Sequence, residues 1–266
     1  MTNSVRPRGR PWTRTVAREW RARWDAQQAY LLPEREQRFA VLLDWLEVLV
    51  GRRARCLDLG CGPGAVSERL LARFPQARSV AVDFDPVLLR VGSGGLGDVH
   101  GRLTWVDADL RRDSWSLSVP PGRYDAALSS TALHWLTGLE LSHLYRTLYR
   151  RLRPGGVLLN ADHLAFPSSQ KRLRTAARSL RRSRTEAAQA GSRGPALNWN
   201  EWWQAISEEP HLAAELELRA RRYPHEHMGT PTPDLDGHRR RMLRAGFREV
   251  GVVWSWGESC ILAAVR

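Results

Sequence analysis

Chemistry concentrates first in the stretch Asp58-Leu59-Gly60-Cys61-Gly62-Pro63-Gly64-Ala65. Gly60 and Gly62 let backbone approach a ligand with no Cβ in the way. The spacing Gly60-x-Gly62-x-x-Ala65 also fits the dinucleotide fingerprint, so the glycines alone do not choose the ligand. Two neighbours do. Asp58 sets a carboxylate at the mouth of the turn, where it repels a pyrophosphate. Pro63 removes a backbone N–H where an anion would want donors. A ligand with a cationic head and a ribose fits better than one with two phosphates. Asp83 lies about twenty residues further on, where an acid is placed to accept both ribose hydroxyls.

These residues need a parallel sheet to hold them. Residues 54–59 read as a first buried strand, followed by a helix to about Phe74 with Val66, Leu70 and Leu71 on one face. Ser79–Asp83 reads as the second strand, after which Asp85 caps a helix that Pro86 begins. Residues 92–101 read as a Gly-rich loop, 103–106 as a third strand and 124–129 as a fourth. A helix over 137–152, the turn Arg153-Pro154-Gly155-Gly156 and a fifth strand over 157–161 follow. Upstream, 12–28 and 34–50 read as helices. The second is amphipathic through Phe39, Leu42, Leu43, Leu46 and Leu49, which marks a helix packed on a sheet. Residues 237–245 read as a last helix stopped by Gly246, before strands at 250–254 and 260–265.

Leu57-Asp58-Leu59-Gly60-Cys61-Gly62-Pro63-Gly64 resembles motif I of the class I S-adenosylmethionine (SAM)-dependent methyltransferases. The "L-R-P-G-G" turn before an apolar strand and the antiparallel closing pair are similar to that family too. The resemblance covers roughly 36–163 and 237–266. It implies an α/β, Rossmann-like class I methyltransferase fold: a seven-stranded, mostly parallel sheet with an antiparallel last strand and a helical lid inserted between strands five and six. The expected organisation is a basic disordered tail over 1–11 and a single methyltransferase domain over 12–266, with cap helices at 12–50 and the lid at 164–235. The cofactor implied is SAM, held by Asp58, Gly60, Gly62, Gly64, Asp83, Phe84 and Ser129. In the family an acid past the third strand accepts the adenine amino group. Asp109 with Leu110 matches that position best, and Asp107 is the alternative.

Methyl transfer from a sulfonium is a one-step displacement, and positioning with exclusion of water supplies much of the acceleration. A base is needed only where the acceptor still carries a proton. His134, just past the fourth strand, is the candidate base, and packing or capping is its alternative role. His163, past the fifth, is a second imidazole. Tyr30 and Arg38 are further candidates to touch ligand. Trp135, Trp199, Trp202, Trp203 and Tyr223 are candidates to wall an apolar pocket. Ala132-Leu133-His134-Trp135-Leu136 resembles the corresponding segment of the trans-aconitate methyltransferases and their relatives, which methylate small carboxylic acids. That makes O-methylation of a small molecule or natural product, with a carboxylate or a peptide C-terminus as acceptor, the leading expectation. Two other readings stay open: an RNA methyltransferase, and a SAM-binding cyclase or binding protein that transfers no methyl.

The net charge of +13 bears on the RNA reading, since a basic balance fits nucleic acid, anionic lipid or acidic substrates. Lys171 is the sole lysine, and arginine used so exclusively also reflects coding bias, which weakens that signal. The run Lys171–Arg184 carries seven cations and no acid, and such a run is usually a solvated helix face. RRM and KH signatures and an Asn/Asp-Pro-Pro-Tyr-type motif are lacking; Ser129-Ser130-Thr131 stands where the last would be. Three scattered cysteines form neither a disulfide framework nor a zinc site, and His225-Glu226-His227 is too sparse for a metal, so no metal is expected. No apolar run spans a membrane, and a cytoplasmic protein with a small-molecule substrate is the reading.

Overall fold

Parallel strands that end in polar loops set the plan of this molecule. The computed structural model describes residues 11–191, 197–223 and 233–266. The strands are β1 (Arg55–Leu59), β2 (Arg78–Asp83), β3 (Leu103–Asp107), β4 (Tyr124–Ser130), β5 (Leu152–His163), β6 (Glu249–Trp256) and β7 (Ser259–Val265). They form one seven-stranded sheet in the order β3-β2-β1-β4-β5-β7-β6. β1 to β5 run parallel, whereas β7 pairs antiparallel with both β5 and β6. Strand order reverses between β1 and β4, so the crevice beyond their carboxyl ends is where an open sheet of this kind takes its ligand.

The helices are α1 (Arg14–Leu31), α2 (Arg35–Val50), α3 (Ala65–Arg73), α4 (Pro86–Leu96), the single turn α5 (Trp115–Ser118), α6 (Gly138–Arg151), α7 (Lys171–Gly191), α8 (Trp199–Ser207), α9 (Ala213–Arg222) and α10 (Leu235–Ala245). Alternation along the strands feeds two cores. Leu57, Leu59 and Tyr124 face Leu141, Leu144, Leu148 and Phe247 on the side of α6 and α10. Cys56, Ala126 and Leu128 face Phe39, Leu42, Leu46, Leu70 and Leu89 on the side of α2, α3 and α4. A third cluster joins α1, α4 and α8 through Trp20, Trp24, Val87, Leu88, Val91, Trp202 and Ile206. Helices α7 to α9 lie in sequence between β5 and α10, the place expected for an insertion.

One local expectation is corrected. The 92–101 stretch is not a loop throughout, because α4 continues to Leu96. Its glycines are there for close packing: a Cβ on Gly92 would lie 2.5 Å from the Trp105 ring, one on Gly94 2.9 Å from Ala17 Cβ, and one on Gly95 2.6 Å from Arg21 Cδ. α1 therefore lies directly against α4. The start of the chain, 1–10, and His225-Glu226-His227 lie outside the described residues. Among the described residues no helix is long and apolar enough to cross a membrane, and no group of three or more His, Cys, Asp or Glu is placed to hold a metal.

Candidate active site

The glycine turn leaves β1 with Gly60, Gly62 and Gly64 at φ of +64°, +52° and +87°, a region L side chains avoid. The three glycines do different work. A Cβ on Gly60 would strike Ala132 Cβ at 2.3 Å, and one on Gly64 would strike the Trp105 ring at 2.6 Å, so both serve packing. A Cβ on Gly62 would meet nothing closer than 4.0 Å, which leaves Gly62 as the glycine that opens the turn to a ligand.

Two buried acids flank this turn. Asp58 Oδ2 accepts from the Ser67 N–H at 3.0 Å and the Ser67 hydroxyl at 2.7 Å. Its Oδ1 is buried without a hydrogen-bond partner among the described residues, an acceptor left for a cationic group. Asp83 accepts from the N–H groups of Gly62 (2.7 Å), Phe84 (2.7 Å) and Asp85 (2.9 Å). A carboxylate has about four acceptor positions, so as it stands Asp83 has room for one ribose hydroxyl rather than two. Burial lifts both carboxyls to about 6, against the hydrogen bonds from Ser67 in one case and from backbone N–H groups in the other. A buried acid with one unpartnered oxygen, an open glycine and a strand-end acid fit a cofactor with an ammonium and a ribose.

Beyond β3 the acids are already engaged by arginine. Asp109 accepts from Arg111 through its N–H (3.0 Å), Nε (2.7 Å) and Nη2 (2.9 Å). Its carboxyl is held below the usual range: burial pushes it up, and the Arg111 hydrogen bonds and charge more than offset that. Asp107 makes a two-pronged pair with Arg222 at 2.8 and 2.9 Å. Leu110 is buried in the core beneath. Ser129 is fully buried and its hydroxyl donates to the Leu59 carbonyl at 2.9 Å, which ties β4 to β1. Its side chain thus has a structural task.

The second half of the site lies beyond β4 and β5. Thr131 sits at φ +50°, a strained conformation for a β-branched residue. It turns the chain so that His134 reaches Asp162 at the end of β5. His134 Nδ1 lies 2.7 Å from Asp162 Oδ1, and the His134 N–H donates to Oδ2 at 3.1 Å. The His163 N–H donates to the same carboxylate at 2.8 Å. Burial would lower His134, but the charge and hydrogen bond of Asp162 outweigh it and raise the imidazole above its ordinary value. Burial would likewise raise Asp162, and His134 brings it down to about 2. His163 is pushed down to about 4 by burial and by Arg38, so it is neutral at physiological pH.

Arg38 completes this half. It is fully buried at the start of α2, its Nη1 donating to Ser259 Oγ and its Nη2 to Ser130 Oγ at 3.4 and 3.3 Å. Its Nε has no partner among the described residues. Burial lowers its basicity, with Asp162 and Glu34 acting against that fall. Trp135 is 48% exposed beside His134, their rings 5.1 Å apart, and Tyr30 is half-buried near the end of α1.

The other aromatic residues expected to wall an apolar pocket fall into two groups. Trp199 and Trp203 pack on Trp24, with ring centroids 5.5 and 6.4 Å away, in the α1–α8 cluster. Trp202 is buried in the same cluster. Tyr223 packs edge-on against Phe84 at 5.8 Å, beyond the end of β2. Sequence reasoning missed Asp162, Ser130, Ser259 and Arg222. Asp162 carried a signal, an acid ending the apolar run Val157–Ala161 beside His163. The others depend on partners far away in sequence.

A switch-point crevice with a glycine turn, acids at the carboxyl ends of β1, β2 and β3 and an antiparallel β7 defines a methyltransferase of the SAM-dependent kind. Residues 56–156 match a family model described as a methyltransferase domain. A trans-aconitate 2-methyltransferase of Azoarcus sp. (strain BH72) is 33% identical over 73% of this chain and 70% of that protein. The Streptomyces avermitilis protein of that name is 35% identical over 56% of this chain and 54% of its own length. A solved O-methyltransferase family protein from Burkholderia thailandensis superposes with a TM-score of 0.58 at 18% identity, over 95% of this chain and 61% of that one. The chain spans about three-fifths of that structure, which shares the fold. The protein belongs to the class I SAM-dependent methyltransferases, and its cofactor is SAM.

Proposed function

We propose that this enzyme methylates a carboxylate oxygen of a small organic acid. The observation that carries the reading is Arg38, a fully buried guanidinium with an unpartnered Nε, set beside the His134–Asp162 pair. A buried cation of this kind calls for an anion. Two relatives are named for trans-aconitate, a carboxylic acid, which agrees with the same chemistry.

When bound, SAM supplies an electrophilic sulfonium methyl. Asp58 Oδ1 would take the ammonium of its amino-acid end, Asp83 a ribose hydroxyl, and Phe84 with Asp109 the adenine. Arg38 would hold the acceptor's charge through Nε, leaving one carboxylate oxygen directed at the methyl. A carboxylate is already ionised at neutral pH, so no proton need be removed. His134 then acts as a charged donor that Asp162 orients rather than as a base. Trp135, Tyr30 and His163 would bound the acceptor and exclude water.

An exposed basic helix favours a second reading. Most of the cations of α7 face solvent, as an RNA-binding face requires. One assay separates the two. Radiolabelled methyl from SAM is offered to small carboxylic acids and to bulk RNA, with alkali treatment afterwards. Label released from the acid pool as volatile methanol is the expected result. Alkali-stable label in a small molecule would return His134 to the role of base, and nuclease-soluble label in RNA would replace the carboxylate reading.

A further inference from the structure

The insertion reaches the cofactor side of the molecule by one helix end. Arg222, the last residue of α9, donates through Nη1 to the Phe84 carbonyl at 2.7 Å and through both Nη atoms to Asp107. Its guanidinium carbon lies 4.3 Å from the centre of the Phe84 ring. Three turns of helix thus end with a flat cation fixed in orientation at the ends of β2 and β3. A cleft of about 360 Å³ opens there, lined by Phe84, Asp107, Asp109, Trp115 and Arg222 among others. A second tie holds the same helix: Arg219 Nε donates to Asp85 at 2.7 Å, and its guanidinium lies 3.7 Å from the Trp203 ring.

We propose that Arg222 is a cofactor-affinity residue, forming the outer wall of the adenine subsite, so that the helical insertion and the bound cofactor hold each other in place. This rests on the placing of adenine beside Phe84 and Asp109 given above. A guanidinium plane stacks on purine and aromatic faces alike, and a two-pronged carboxylate contact keeps that plane from turning away. Asp107 supplies that contact. Its role is then to orient Arg222, not to bind the adenine amino group. The wall comes from a residue 138 positions after Phe84, carried on an element that the sheet does not itself require. Affinity for the nucleoside end of the cofactor thereby becomes a property of the insertion.

The test is calorimetric binding of S-adenosylhomocysteine and, separately, of adenosine to the full chain, with stopped-flow dissociation rates. Arg222→Ala should weaken both ligands by the same factor, between about threefold and thirtyfold, chiefly through faster dissociation. Equal loss with adenosine localises the effect to the nucleoside end. Arg222→Lys keeps the charge but not the plane, and should recover less than half of the loss in free-energy terms. It also stands in if the alanine variant folds poorly. Asp107→Asn, which frees the guanidinium, should weaken both ligands by less. Unchanged or tighter adenosine binding in Arg222→Ala would overturn the proposal. Asp83→Ala, run alongside, separates the two levels. If it weakens S-adenosylhomocysteine while Arg222→Ala does not, only the wall is wrong. If neither variant matters, the placing of the cofactor is wrong as well.

Discussion

Replacing Asp162 by asparagine should uncouple His134 from the acceptor site and make that visible in one titration. The carboxyl is brought from an ordinary 3.8 to about 2, which favours its charged form by about 2 kcal/mol. Removing one partner of a buried pair costs about 3–5 kcal/mol, and asparagine retains one acceptor oxygen, so a loss of about 2–3 kcal/mol is expected. The sign with pH follows from the two shifts. His134 is raised, so its share of the stabilisation is complete below 6.5 and fades as pH rises through the raised value. Asp162 is depressed, so its share is complete above 3.8 and fades as pH falls through about 2. The stability gap between wild type and Asp162→Asn is therefore widest between those limits and narrows on the alkaline side. Without Asp162, burial and the Arg38 charge act on His134 unopposed and carry it below 6.5. Urea unfolding across pH measures the gap, and the imidazole C2 proton resonance of His134 measures its titration. An identical His134 titration in the two proteins, or a gap that does not change with pH, would refute the pairing.

Cofactor affinity should weaken as pH falls below about 6, where Asp58 and Asp83 take up protons and lose their attraction for the ammonium and ribose. The same raised values mean that both acids cost the fold stability as pH rises from 3.8 to about 6, so stability and cofactor affinity measured over that span should trend in opposite directions. Gly60→Ala should destabilise strongly, because its Cβ meets Ala132 at 2.3 Å. Gly62→Ala should cost only about 1–2 kcal/mol from its positive φ, yet lose cofactor affinity by calorimetry. Trp202→Ala should cost about 3–5 kcal/mol in thermal or urea unfolding, since it is fully buried against Trp20, Trp24 and Trp203.

The glycine turn and the strand-end acids were legible because their signals are local. A glycine turn between an apolar run and a helix, and acids that end further apolar runs, are read within a few residues of each other. Asp85 with Pro86 was legible as a helix start for the same reason, and the structure has Asp85 accepting from Val87 and Leu88 N–H groups. The glycines at 92, 94 and 95 misled because what they make room for, Trp105, Ala17 and Arg21, lies on other elements. The tryptophans at 199 and 203 were read as a pocket wall on type alone, whereas α1 supplies Trp24 as their partner. The surroundings of Arg38 were the least legible part. Arg38 was singled out, with Tyr30, as a candidate to touch ligand, but its hydroxyl partners stand 92 and 221 residues away.

The position of β7 sets an order on biosynthesis. This strand follows every other described element in the sequence, yet it lies inside the sheet and pairs with β5 on one side and β6 on the other. As the chain leaves the ribosome, β1 to β5 and the glycine turn can assemble while β6 has no neighbour to pair with. Ser259, which opens β7, then brings the hydroxyl that Arg38 Nη1 uses. Arg38 thus gains this partner only after the glycine turn can be in place. The nascent intermediate exposes the β5 edge as a surface for wrong pairing until the final strand closes it.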